Sequence, residues 1–185
     1  MLVVRVDAYL HKPLWTLWTL PMKREKYFLD TNVIVDYLVN KTDYVLFLED
    51  ANFKFYYTSS VKAELIKFYD ISQLESLENS KILHFMEYPP DRRDKLDTLY
   101  QFVIRELHLS VPEKFRTDMD IFGEACYLYV TAWFDDENDQ HMPELLTNNM
   151  IFLKRVKRQH AKIADIVSAV GLESPINVED IKQFL

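Results

Sequence analysis

Residues 26–38 constrain the fold more than any other part of the sequence. A short apolar run, residues 26–29, predicts a buried strand, and the polar residues Asp30, Thr31 and Asn32 follow it at once. Apolar residues then recur at helical spacing to the end of the segment. A strand that leads directly into a helix is the repeating unit of parallel α/β sheets.

The same alternation continues along the chain. We expect strands at residues 53–57, 81–88, 144–147 and 165–170. We expect helices at residues 43–50, 91–109, 150–161 and 178–185. A further helix is expected from a Thr58-Ser59-Ser60 cap to about residue 68, and a long one from a cap at Thr117 or Asp118 to about residue 134. This pattern predicts an α/β fold, a three-layer sandwich whose mostly parallel central sheet is covered by helices on both faces.

The chain divides into an N-terminal extension, residues 1–21, and one domain, residues 22–185. The extension contains a Trp- and Leu-rich stretch, which we expect to pack on the body or on another subunit, because free tryptophans are costly in water. Alternatively, Met22 is the natural start and the extension is not native.

Composition excludes several classes of site. The single cysteine, Cys126, cannot form an intramolecular disulfide or a multi-cysteine zinc site, and two glycines are too few for a glycine-rich phosphate loop. No apolar run is long enough to span a membrane, so we expect a soluble cytoplasmic protein. The net charge of −7 is unusual for a nucleic-acid binder, although a bound metal offsets part of an acidic cluster.

Polar side chains recur at predicted strand ends or in early helical turns, where ligands bind in open α/β sheets. They are Asp30, Glu64, Asp120, Glu124, Asn148 and Asn149. Several carboxylates around one or two hard cations form a phosphodiester-cleaving site, and Mg²⁺ and Mn²⁺ prefer such oxygen ligands. We therefore expect Mg²⁺ or Mn²⁺ as cofactor.

Five segments resemble, in order, the motifs of the PIN-domain nucleases, from about Lys26 to Leu185. They are residues 27–36, residues 58–65 with Glu64 as their acid, Gly123-Glu124-Ala125, residues 145–149, and residues 176–180. The resemblance implies a PIN-like fold and a metal-dependent endoribonuclease that cleaves single-stranded RNA.

The resemblance also implies the roles of individual residues. Asp30, Glu64, Glu124 and Asp120 are expected to be catalytic and to bind the metal. Glu124 is favoured over Asp120 as the third acid, and Asp118 is expected to cap its helix. Asn149 is expected to ligate the metal through its amide oxygen, but it stands where the family commonly has an aspartate, so one metal is expected to bind more weakly or to be lost there. Thr31, Asn32 and Asn148 are expected to support the site.

The basic stretch after the fourth motif is expected to contact substrate phosphates through Lys154, Arg155 and Arg158. By resemblance, small PIN proteins are often toxins of toxin–antitoxin pairs, dimeric and inhibited by a small antitoxin-like protein, and others process RNA. We therefore expect a homodimer without membrane contact. The alternatives are a catalytically weakened PIN-like module that binds RNA or protein, and a nuclease acting on structured DNA.

Overall fold

The computed structural model describes residues 25–86, 105–109, 111–132, 143–168 and 176–185. The expected extension, residues 1–21, and most of the helix expected at residues 91–109 lie outside the described residues. In the described part, the strands are β1 (Glu25–Leu29), β2 (Phe53–Tyr57), β3 (Leu83–Phe85), β4 (Glu144–Thr147) and β5 (Val178–Asp180).

Helices connect these strands. They are α1 (Thr31–Leu38), α2 (Thr42–Leu48), α3 (Ser59–Leu65), α4 (Ile71–Asn79), α5 (residues 105–109), α6 (Arg116–Ala132), α7 (Met150–Arg158) and α8 (His160–Ser168). Short 3-10 turns occupy Glu113–Phe115 and Ile181–Gln183. Every helix in the described ranges is too short or too polar to cross a bilayer.

The five strands form one sheet in the order β3-β2-β1-β4-β5, and each pair of neighbours is parallel. Right-handed crossovers in opposite directions from β1 place helices on both faces. The central strand β1 is consequently buried on both sides, with Phe28 and Leu29 at most 1% exposed. The α/β class and the sheet covered on both faces are confirmed, and the sheet is wholly parallel.

The order of the strands also decides where a ligand can bind. The chain moves from β1 to β2 and β3 on one side, and it later returns to β4 and β5 on the other. The carboxyl ends of β1 and β4 therefore flank the point at which the strand order reverses. In open α/β sheets a crevice at this point is the usual ligand site.

Two expected elements are wrong. The strand expected at residues 165–170 is helical as far as Ser168, because α8 places Ile163 in the core at helical spacing. The helix expected at residues 178–185 is instead strand β5 followed by a 3-10 turn. Val178 pairs with Leu145 of β4, and this non-local pairing decides the conformation.

Candidate active site

Asp30 lies directly after β1, at the crevice between β1 and β4. Its backbone N–H donates to the Leu146 carbonyl oxygen at 3.0 Å, which extends the pairing of the two strands by one residue. The Thr147 hydroxyl donates to Asp30 Oδ2 at 2.6 Å. Asp30 occupies the N-cap position of α1, but β4 holds its carboxyl group and the helix does not use it as a cap. The side chain is only 2% exposed, so this arrangement keeps a carboxylate at the edge of the core.

Glu64 is linked to the same place through the neighbour of Asp30. The hydroxyl of Thr31, the first residue of α1, donates to Glu64 Oε2 at 2.5 Å. The Asn32 side chain lowers the pKa of Asp30, which burial raises. Thr31 thus acts on Glu64 and Asn32 on Asp30, the two acids that lead the set predicted from the sequence.

Asp118 is the third acid at this site. Burial, followed by the negative charges of Asp30 and Glu64, raises its pKa from 3.8 to about 7. Burial also raises the pKa of Asp30; the Thr147 hydrogen bond opposes that rise and the Glu64 charge adds to it. Three carboxyl groups from β1, α3 and α6 therefore act on one another electrostatically.

The two acids ranked above Asp118 in the sequence each have another hydrogen-bond partner. Glu124 is 2% exposed, and its Oε2 accepts the backbone N–H of Ser60 at 2.7 Å, within the first turn of α3. Asp120 Oδ1 lies 2.6 Å from Nε2 of His108 on α5.

The expected cap at Asp118 is wrong, because α6 begins at Arg116 and Asp118 lies within its first turn. The sequence contains a signal that was missed. Asp118 shares a helix face with Phe122 and Ala125, four and seven residues further on. Both of those residues are fully buried, so the face that carries Asp118 is directed inward.

The two asparagines after β4 have structural partners. Asn149 is the N-cap of α7, and its Oδ1 accepts the N–H groups of Ile151 and Phe152 at 3.2 Å each. Asn148 Nδ2 donates to Asp36 Oδ2 at 2.7 Å. The amide oxygen expected to bind a metal is therefore directed at a helix N-terminus.

The donor chemistry at the site fits a hard divalent cation, because Asp30, Glu64 and Asp118 offer only oxygen ligands. Among the described residues, no three His, Cys, Asp or Glu side chains are arranged to hold one ion together. Mg²⁺ is commonly bound through one or two carboxylates, with water and substrate phosphates completing its shell. The raised pKa values also fit, since a cation would offset the repulsion between these acids.

The three residues expected to contact substrate lie together on α7. Lys154, Arg155 and Arg158 line a cleft of about 310 Å³, with Ile151 and Gln159. Lys157, on the same helix, instead pairs with Glu179 at 3.0 Å.

The fold and the grouping of acids rest on the geometry of this chain alone. Comparison of the sequence with protein-family models, with curated proteins and with solved structures finds no match in any of the three. The similarity to PIN-domain nucleases therefore stays a prediction from the motifs.

Proposed function

We propose that this protein is a metal-dependent endoribonuclease that cleaves phosphodiester bonds of single-stranded RNA. The observation that carries the proposal is geometric: Asp30, held by Thr147, and Glu64, bonded to Thr31, meet at the reversal point of the sheet. Asp118 of α6 lies near enough for their charges to raise its pKa, and like charges held close together destabilise a fold unless a positive charge compensates them. Such an arrangement is typical of functional sites.

Each residue has a distinct part in this proposal. Asp30, fixed by Thr147, and Glu64, bonded to Thr31, would hold a Mg²⁺ or Mn²⁺ ion. The ion would polarise the scissile phosphate and lower the pKa of an attacking water molecule. Asp118, with its pKa of about 7, is suited to bind the ion or to accept a proton near neutral pH.

The first experiment incubates the purified protein with labelled single-stranded RNA and Mn²⁺, beside an EDTA control. We expect cleavage by the wild type and a loss of at least roughly a hundredfold in Asp30→Asn, because this change removes the central negative charge. Asp70→Asn is the matched control, since Asp70 caps α4 from an exposed position and Asn is an equally good cap. Cleavage that survives the Asp30 change would reject the proposal.

A second comparison identifies the third acid. Asp118 and Asp120 are two residues apart on α6: the charges of Asp30 and Glu64 act on Asp118, and Asp120 is paired with His108. Asp118→Asn should reduce cleavage more than Asp120→Asn. The reverse order would favour the assignment made from the sequence motif and would move the site to the other face of the helix.

The runner-up is a non-catalytic PIN-like module that binds RNA. One observation favours it: the Asn149 side chain, at the position of the fourth acid, caps α7. RNA binding by the wild type without Mn²⁺-dependent cleavage would support this reading. The homodimer, the small inhibitory partner and the toxin role stay predictions, which chromatography and co-purification can test.

A further inference from the structure

A basic surface on α7 adjoins the helix that carries Asp118. Within residues 150–164 the sequence has three lysines, two arginines and one histidine, and no acid, although the chain as a whole carries a net charge of −7. Among the described residues, no carboxylate forms a salt bridge with Lys154, Arg155 or Arg158. These three cations line the cleft together, so positive charge is concentrated at one place in an acidic protein.

Arg155 is held in a defined orientation in this cleft. Its Cζ atom lies 4.1 Å from the centre of the Phe115 ring, and its Nε atom is buried with no hydrogen-bond partner in the described part of the chain. A guanidinium group over an aromatic ring keeps its charge, and its planar fork can bind a phosphate with two hydrogen bonds.

Phe115 also connects the cleft to the acids. It ends the 3-10 turn that leads directly into α6, three residues before Asp118. Phe122, within α6, packs edge to face with Phe152 of α7, with ring centres 6.4 Å apart. Asp118 therefore lies, along the chain, between two residues that contact α7, one in the turn before α6 and one within α6.

We propose that this cleft binds the phosphate backbone of a single RNA strand beside the carboxylate site, with Arg155 and Arg158 contacting phosphates and Phe115 positioning Arg155. The proposal rests on the proposed function for the identity of the strand. Lys154, Arg155 and Arg158 span about 6 Å along the helix axis, a length that suits one or two phosphate groups. The apolar side chain of Ile151 forms the remaining wall beside Gln159.

Binding is measured by fluorescence anisotropy of a labelled single-stranded oligoribonucleotide in EDTA, so that the result does not depend on cleavage. Arg155→Ala and Arg158→Ala should each weaken binding by roughly tenfold. Each should also reduce the slope of log K against log salt by about 0.7, the value for one lost phosphate contact. Lys157→Ala is the matched control: it removes the same charge from the same helix, but from a residue paired with Glu179.

Two further variants test the stacking. Phe115→Leu should weaken binding by roughly two- to fivefold, because it removes the aromatic face and keeps an apolar side chain. Arg155→Lys should lower the affinity and leave the salt slope unchanged, because it keeps the charge and loses the planar fork. Unfolding midpoints of all variants establish that they are folded.

The proposal is overturned if the wild type does not bind RNA, or if Lys157→Ala and Arg155→Ala lose the same amount of RNA affinity. It is also overturned if the wild type binds duplex RNA, or an acidic peptide, more tightly than single-stranded RNA. The test is separable from that of the proposed function. If the cleft variants lose RNA binding, and neither they nor the wild type cleave RNA with Mn²⁺, the nuclease proposal fails and the proposal of a phosphate-binding cleft is kept. If the wild type cleaves and the variants bind as it does, the cleft proposal fails alone.

Discussion

Thr147 carries a fully buried hydroxyl group that serves two partners. Its oxygen accepts the N–H of Asn149 at 2.9 Å, and its single proton is donated to Asp30 Oδ2. A hydroxyl group has one hydrogen to donate, so the bond from Asn149 leaves that hydrogen for the carboxylate. The hydrogen bond from Thr147 fixes the position of Asp30 and keeps the pKa of Asp30 lower than burial alone would set it.

Thr147→Val keeps the shape of the side chain and removes this hydrogen bond. We expect the free energy of unfolding at neutral pH to fall by about 1–3 kcal/mol, because a buried carboxylate loses its donor. Urea unfolding of the metal-free protein measures the change. Thr147→Ser is the control and should lose less, since it keeps the hydroxyl group. Equal losses in the two variants would mean that methyl packing, and not the hydrogen bond, is the important contact.

Asp118 makes the stability of the protein depend on pH. Its pKa rises from the ordinary value of 3.8, which applies to the unfolded chain, to about 7 in the folded chain. Between these two pH values the folded state therefore binds more protons than the unfolded state. Stability therefore falls as pH rises through this window, and the full loss is present above the folded pKa. Solvent reaches part of this side chain, which reduces the loss.

Asp118→Asn should remove this dependence. In EDTA at about pH 8, we expect the variant to be more stable than the wild type by about 1–2 kcal/mol. The difference should vanish at about pH 2–3, below the ordinary pKa of 3.8, where the carboxyl group is protonated in both states. Denaturant unfolding across this range provides the measurement. A variant that is less stable than the wild type at about pH 8 would show that the carboxylate is not a repulsive group.

At the scale of elements, Glu124 joins α6 to α3. The first N–H groups of a helix have no partner within the helix, and Glu124 satisfies that of Ser60 from 64 residues away. Glu124→Ala should therefore lower the free energy of unfolding by about 1–3 kcal/mol, and Glu124→Gln, which keeps an acceptor oxygen, should lower it less. Thermal unfolding in EDTA compares them. A variant that keeps its stability but loses cleavage would return Glu124 to the metal-binding set.

The elements that the sequence predicts well are those whose ends are marked locally. Strand β2 and strand β4 have the predicted bounds, Phe53–Tyr57 and Glu144–Thr147. Each is an apolar run that ends in polar residues suited to helix caps. Asp30 could be placed for the same reason, because a polar residue after a buried strand is visible in the sequence.

The failures have a common physical cause, which is that distant partners decide the outcome. The β-branched residues near the end of α8 favour a strand locally, but burial of Ile163 at helical spacing overrides that preference. Strand β5 has three residues and exists through its pairing with β4. Spacing can place Asp118 on an inward face of α6, but it cannot show which of the three acids of α6 meets the other carboxylates, since the partners that distinguish them lie on α3, on α5 and after β1.

At the scale of the whole molecule, the two kinds of charge occupy neighbouring surfaces. The acids stand at the reversal point of the sheet, and α7, whose cations line the cleft, begins three residues after β4 ends. A phosphate backbone drawn to the cations would meet the acids only if a divalent ion were bound between them. The proposed activity therefore needs the ion for two reasons: the ion supplies the chemistry, and its charge offsets the repulsion between the acids and the substrate phosphates.

This dependence predicts that the ion stabilises the folded chain in the absence of RNA. At ten times its dissociation constant, Mn²⁺ should add about 1.4 kcal/mol, which raises the melting temperature of a chain of this length by about 3–6 °C. The rise should be smaller near pH 6, because Asp118 must then release a proton. Thermal unfolding with Mn²⁺ or EDTA measures it. Asp30→Asn should show little rise and Asp70→Asn the full one. An equal rise in Asp30→Asn would place the ion elsewhere and remove the basis of the proposed site.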